Sequence, residues 1–551
     1  MAENSGSQNR GQLRQLIRTH KRDNALLARL GYKSEFKRAF SPIHTIGFAF
    51  SIMGVYASVS AVFFFPLMTA GHLGMTFGWI IPSLFTTCAV LLLAELTSAM
   101  PTSAGLYYFS AKLAPPEYAP LLSWITGWAN VTGQILLMCS LEFVNAEMIA
   151  IAISVGTDGR INLGPGPTFG IILASLLSHS IVCASNSRIL AKISLFTGFI
   201  NVGMTISTAV ALIVVPGSNR TPTKDAFILM ENNTEWSNNP WAFILSFTGA
   251  MWAFTGYDAA AHISEEISDA SRAAPLAMIT SVIGTEVFGL LLLIGASFAS
   301  SNITRIASSP LSLPMGQVYL DTFGKKGMLA VWSLCILVQW VNGVTQGVDA
   351  SRVTFALARD NGLPGSRWWK QIHPYTKTPV YAVWLVMCIS AIIAVLVWSN
   401  TALSSLAGVT VASLYMSYAI PILLRITYSH KTFKPGPFSL GRWSRPIGII
   451  AILWALFVSV VVFFPLNPHI KSSNDMNYAV VIVVGVFVLS SLSWILSARK
   501  WFRGPVPNIT EDEVTKVIAL ENDRDDEMMA GAHEKGSIES SSEKTPELRT
   551  Q

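Results

Sequence analysis

The chain has 551 residues, of which 51% are hydrophobic and only 13% charged, with a mean hydropathy of +0.47 and a formal net charge of +6. A soluble domain is about one quarter charged, so this composition excludes a string of water-soluble domains, whose polar surface these residues could not supply. The charge is gathered in two tails and a few short loops, 12 of the 32 acidic residues lying between Glu511 and Glu547, and the apolar runs between them mark an all-α polytopic membrane protein.

A helix that crosses a bilayer needs about 20 mostly apolar residues and satisfies its own backbone hydrogen bonds. Residues 1–45 are polar, lack the apolar core of a signal peptide and read as a cytoplasmic tail. Twelve spans are expected after it, at 46–70, 76–100, 121–153, 168–184, 191–215, 241–262, 276–300, 328–350, 379–398, 403–424, 446–465 and 477–498. Residues 499–551 form a second cytoplasmic tail, acidic and Ser-rich, whose stretch Gly536–Thr545 is expected to be disordered. Kinase or ubiquitin-ligase contacts at the tails are the functional alternative to plain solvation. With both termini inside, the inner side receives 31 Lys and Arg and the outer loops seven, which is the asymmetry that sets orientation. Two sequons, at Asn232 and Asn302, fall in predicted outer loops and are expected glycosylation sites, whereas Asn508 falls inside. The five cysteines lie in apolar runs without ligand spacing, so neither a metal site nor a cofactor is expected.

Spans one to five (46–215) and six to ten (241–424) form two blocks of five, followed by a pair at 446–498. An odd number of spans turns the second block upside down, the pattern of inverted-repeat transporters whose sites lie mid-membrane between discontinuous helices. The first helix of each block carries the expected break. In span one it is Ser51-Ile52-Met53-Gly54-Val55-Tyr56, and in span six Phe254-Thr255-Gly256-Tyr257-Asp258. Glycine weakens a helix by about 1 kcal/mol against alanine, and an opened helix offers amides to a carboxylate and carbonyls to an ammonium. Close packing is the plainer reading of any single membrane glycine.

The stretch Phe254–Asp258 running through His262-Ile263-Ser264-Glu265-Glu266 to Ala274-Pro275, together with Ala358-Arg359-Asp360-Asn361-Gly362-Leu363-Pro364 and Ala94-Glu95-Leu96, resembles the amino acid–polyamine–organocation permeases. Within that superfamily the chain is most similar to the fungal branch of GABA, choline and amino-acid permeases. The resemblance spans about residues 40–500. It implies a five-plus-five inverted fold with two further helices, secondary active transport, and substrate held by spans one and six. It also implies residence in the plasma membrane, with the vacuolar membrane as the alternative. Span one departs from the denser Gly/Ser run of many bacterial relatives.

Asp258 is the most informative single residue, because a carboxylate deep in a membrane needs a partner or a task. It could meet a substrate ammonium or carry a coupling proton. Alternatively it caps the second half of span six, accepting from amides near Ala260. Asn130 and Gln134 share a face of span three, Gln339, Asn342 and Gln346 make a stripe on span eight, and Tyr415 and Tyr418 lie on span ten. These are candidate lining residues, with interhelical hydrogen bonds as the plainer reading. Glu286, or Lys192 in place of a bound sodium, are candidate coupling residues. Glu265 and Glu266, beside Arg272, could gate the inner mouth through Arg352, or stand in a solvated loop. Glu142 and Glu147, near the outer end of span three, could line an entry route for cations, with solvated or paired groups as the plainer reading.

The leading expectation is a proton-coupled importer of a small amine-bearing solute such as an amino acid or GABA, working as a monomer or loose oligomer. The alternatives are a choline or polyamine permease and a transporter-like nutrient sensor. No enzyme motif is present, and the basic segment at 10–38 is better explained by lipid contact than by nucleic acid.

Overall fold

The computed structural model describes residues 19–185, 187–399, 401–469 and 478–519. Lys471 and the Gly536–Thr545 stretch lie outside the described residues. Among the described residues eleven helices are long and apolar enough to cross a membrane: spans one (Pro42–Thr69), two (Gly71–Ala99), three (Ala119–Gly156), four (Pro165–Cys183), five (Ser187–Val214), seven (Ala270–Ala299), eight (Pro314–Arg359), nine (Val380–Trp398), ten (Leu403–Ile426), eleven (Gly441–Val461) and twelve (Ala479–Leu496). Span six is missing from that set because it is broken. It runs as Asn239–Leu245, Phe247–Ala253 and Ala259–His262, with non-helical residues 254–258 between the last two pieces. Among the described residues the only sheet-like pairing is one parallel bridge, Phe40 with Ile267.

Burial follows membrane logic. Leu84, Ile181, Phe196, Phe199, Leu453 and Leu489 are large apolar side chains on the protein surface, as expected where the solvent is lipid tails rather than water. The polar side chains instead turn inward, and Asn130, Gln134, Asp258, Asn342, Gln346 and Asp349 are all fully or almost fully buried. Small residues allow close approach of helices. A Cβ on Gly295 of span seven would lie 2.7 Å from the Ala209 carbonyl of span five.

Span eight is longer than its apolar run predicts. Its helix is bent at Gly324, where φ is +66°, and it continues past residue 350 to Arg359. That last extension is polar, so a hydropathy reading ends too early and places Arg352 and Arg359 in a loop. Span three is also long, at 38 residues.

Residues 19–34 and 507–519 form a smaller unit of their own. Gly31 accepts from the Asn508 amide at 2.9 Å, and Lys33 meets Glu513 at 2.8 Å. The described tail segments, residues 19–34 and 507–519, are therefore structured.

Candidate substrate site

The break in span one is centred on Gly54, in the left-handed conformation at φ +48°. A continuous helix would send the Tyr56 amide back to Ile52. Here it donates to Asn201 Oδ1 of span five at 2.9 Å instead. Ser58 covers a second freed group, donating to the Met53 carbonyl at 2.6 Å. Both glycines of the sequence reading are needed for their conformation, since Gly256 in span six has φ +85°, a region that side chains avoid. The two breaks also touch. A Cβ on Gly256 would lie 3.0 Å from Ile52 Cγ2. Among the described residues the amides of Tyr257 and Asp258 make no backbone hydrogen bond. Amides left free at an opened helix are the groups that bind a carboxylate.

Asp258 does not cap span six. Its side chain accepts nothing from the backbone, because it points across the bundle. Oδ1 accepts from Tyr418 Oη at 2.8 Å. Oδ2 accepts from Asn130 Nδ2 at 3.1 Å and Gln134 Nε2 at 3.3 Å, and lies 2.9 Å from His262 Nε2. The capping alternative is thus replaced by a network joining spans three, six and ten. The pairing with His262 has a sequence signal, the i,i+4 spacing.

Span eight closes the other side. Asn342 Nδ2 reaches Ser58 Oγ at 3.4 Å, next to Gly54, and Gln346 Nε2 donates to Gln134 Oε1 at 2.6 Å. Gln339 donates to the Leu141 carbonyl at 3.0 Å. Several buried polar atoms around the breaks have no hydrogen-bond partner among the described residues, including Tyr257 Oη, Trp252 Nε1, Asn342 Oδ1 and Gln346 Oε1. The Tyr257 and Tyr418 rings lie 4.6 Å apart beside Asp258.

Below the break, two buried ion pairs tie span six to span eight. Glu266 Oε1 accepts from Arg352 Nε at 2.8 Å, and Glu265 meets Arg359 at 3.3 Å. Glu265 also accepts from the Ser103 amide at 3.0 Å, in the turn after span two. The solvated-loop reading of Glu265 and Glu266 does not hold, because both are about 1% exposed. Arg272 is exposed and takes no part. Near the opposite ends of spans one and three, Ala61, Phe65, Phe143 and Glu147 line a cavity of about 640 Å3, with Ser312 and His469 on its far walls. The breaks therefore lie between this cavity and the two buried ion pairs.

Residues 40–487 match the amino acid permease family. This chain belongs to that family. It is 33% identical to an uncharacterised amino-acid permease of Schizosaccharomyces pombe over 88% of this chain and 90% of the relative. It is 32% identical to the amino-acid permease BAT1 of Arabidopsis thaliana, over 88% and 96%. It is also 30% identical to the GABA-specific permease of Saccharomyces cerevisiae, over 91% and 88%. The protein is accordingly a multi-pass membrane permease, a transporter rather than an enzyme.

Not every candidate residue of the permease reaches the breaks. Lys192 is exposed on span five. Glu286 is half-buried and accepts from Thr87 Oγ1 of span two at 2.6 Å. Tyr415 pairs with Thr86 at 3.3 Å, and its neighbour Tyr418 makes the contact to Asp258. Tyr56 sends its ring away from the break, 6.4 Å from Tyr319, and Ser51 donates to the Ser194 carbonyl at 2.8 Å. Met53 and Thr255 are likewise used internally, by Thr285 at 3.0 Å and the Trp252 carbonyl at 2.6 Å. Phe254 packs on Trp79 at 4.8 Å, and Val55 is fully buried. These residues shape the breaks through their backbone and packing rather than through free polar heads. Glu142 is not solvated but buried and bonded to His179, whose other nitrogen faces the Trp340 carbonyl at 2.9 Å. Glu147 is bonded to Ser312. Asn302 is exposed and caps a short helix through Arg305 N at 2.9 Å, whereas the Asn232 amide is engaged by the Trp236 carbonyl at 2.8 Å.

Proposed function

We propose that this permease imports a small amine-bearing solute, an amino acid or GABA, together with a proton by alternating access. The observation that carries the reading is the close approach of the two breaks, Gly256 of span six against Ile52 two residues before Gly54, with Asp258 held beside them. Free amides of span six would take the carboxylate of a zwitterion, and Asp258 its ammonium. The resemblance to a GABA-specific permease points the same way. In this reading residues 46–215 and 241–424 are the inverted repeats and both termini are cytoplasmic. The ion pairs of Glu265 and Glu266 then shut the cytoplasmic mouth while the cavity faces outward. The plasma membrane is the expected location. Asn130, Gln134, Asn342 and Tyr418 orient the site.

A second reading is favoured by one specific feature. Tyr257 and Tyr418 flank the Asp258 carboxylate, an arrangement suited to a quaternary or poly-ammonium ligand. The test is uptake of radiolabelled GABA, neutral and basic amino acids, choline and putrescine into cells lacking their own permeases, with and without a protonophore. Saturable, protonophore-sensitive uptake of a zwitterion supports the first reading. Uptake of choline or putrescine alone replaces it with the second, and no uptake by protein shown to be at the surface supports a sensor.

A further inference from the structure

One buried carboxylate stands outside the pairing described above. Asp349 lies on span eight, fully buried, one turn from Gln346 and one turn from Arg352. Neither of its oxygens has a hydrogen-bond donor among the described residues. The groups around it are His262 and Asp258 of span six, Gln134 of span three and Arg352 of its own helix. The basic and amide groups among them also have partners of their own. His262 lies 2.9 Å from Asp258, Gln134 donates to Asp258 at 3.3 Å, and Arg352 holds Glu266 at 2.8 Å.

Among the described residues no other packed element supplies a cation, Arg367 of the short helix Ser366–Trp369 being exposed and stacked over the Trp368 ring. On span five Arg188 and Lys192 are exposed, and on span one His44 pairs with Ser41 at 2.6 Å. Span four offers only His179, which is bonded to Glu142, and span nine has no charged residue. Span seven contributes Glu286, bonded to Thr87, and exposed Arg272. The buried carboxylates Asp258, Glu265 and Glu266 each have one basic partner, and Asp349 is left over. An ionised carboxylate with no donor within hydrogen-bond distance and no ion-pair partner of its own is strongly disfavoured in such surroundings, whereas the neutral acid is tolerated.

We propose that Asp349 carries the transported proton, and that Arg352 discharges it. Residues three apart on a helix are neighbours. While Arg352 is held by Glu266, the cytoplasmic mouth is shut and Asp349 keeps its proton. When span six swings from span eight, the Glu266–Arg352 pair parts. The freed guanidinium then lies beside Asp349 and favours its ionised form, so the proton leaves on the side that has just opened. One group thereby ties gate opening to proton release. This rests on the proton-symport reading given above.

The test uses purified full-length protein in liposomes. The probe is whichever of radiolabelled GABA, alanine, glutamate, lysine or arginine the unaltered protein concentrates under an imposed proton gradient. If it concentrates none, the symport reading falls and this proposal with it. Asp349→Asn imitates the protonated acid. It is expected to lose gradient-driven accumulation while substrate counterflow persists and no longer varies with pH. Accumulation equal to that of the unaltered protein refutes the proposal while leaving symport intact. Loss of counterflow in a variant that still elutes as a single sharp peak also refutes it, and assigns Asp349 to the substrate. Should Asp349→Asn fail to fold, Asp349→Glu serves instead. Its accumulation should persist with a shifted pH midpoint, and an unshifted midpoint overturns the idea.

Discussion

Replacing Gly256 by alanine acts on the backbone of the break itself. The native conformation at φ +85° lies where side chains are disfavoured, at a cost of about 1–2 kcal/mol for an L-residue. Alanine would also favour the competing continuous helix by about 1 kcal/mol over glycine. Together these bias the permease against the unwound state by about 2–3 kcal/mol, or roughly 30- to 150-fold. The new Cβ would also sit 3.0 Å from Ile52 Cγ2. Initial rates of uptake, normalised to surface protein, should fall by that factor or more in Gly256→Ala. Adding Ile52→Ala separates the two effects, since it removes the contact and leaves the dihedral strain. The double variant should remain impaired. Uptake within about threefold of the unaltered protein in Gly256→Ala, well under the factor derived from helix strain and propensity, would refute the claim that the unwound state is the one that binds substrate.

Four further outcomes are expected. Asp258→Asn should abolish uptake without loss of surface protein, because its carboxylate is turned to Tyr418, Asn130, Gln134 and His262 rather than to a helix cap; near-normal uptake would show the group to be structural. Arg352→Gln leaves Glu266 buried without its partner, a loss of about 3–5 kcal/mol, so its melting temperature in detergent should drop and Glu266→Gln on the same chain should recover much of it. Asn302→Gln should remove a glycosidase-sensitive band shift while Asn232→Gln does not, because the Asn232 amide is already bonded to Trp236 and Asn239; no shift in either case would argue against the assigned orientation. Glu513 is held down to about 2 by Lys33. A depressed carboxyl contributes above its ordinary range and loses that contribution as pH falls toward its folded value. Because this pair is exposed, Glu513→Gln should leave the melting temperature at neutral pH unchanged, and a clear drop would show the pair to be more than a surface contact.

The residue order by itself determined the class of molecule and the place of its breaks. Runs of apolar residues locate eleven of the twelve expected spans to within a few residues in most cases, since only a helix can hide its backbone in lipid. Gly54 and Gly256 were legible as weak points for the same local reason, and Asp258 stood out because a membrane carboxylate is costly. The facing of side chains was far less legible. A helix packed against lipid on one side and protein on the other is apolar on both, so periodicity does not reveal its inner face. Only tertiary structure sets Asn201 under Tyr56, joins Glu142 to His179, and turns Tyr418 rather than Tyr415 toward Asp258. It also carries span eight beyond its apolar run, bringing Arg352 to a glutamate 86 positions earlier and leaving Asp349 without an ion-pair partner of its own among the described residues. Those pairings depend on distances between segments remote in the chain, and no local propensity encodes them.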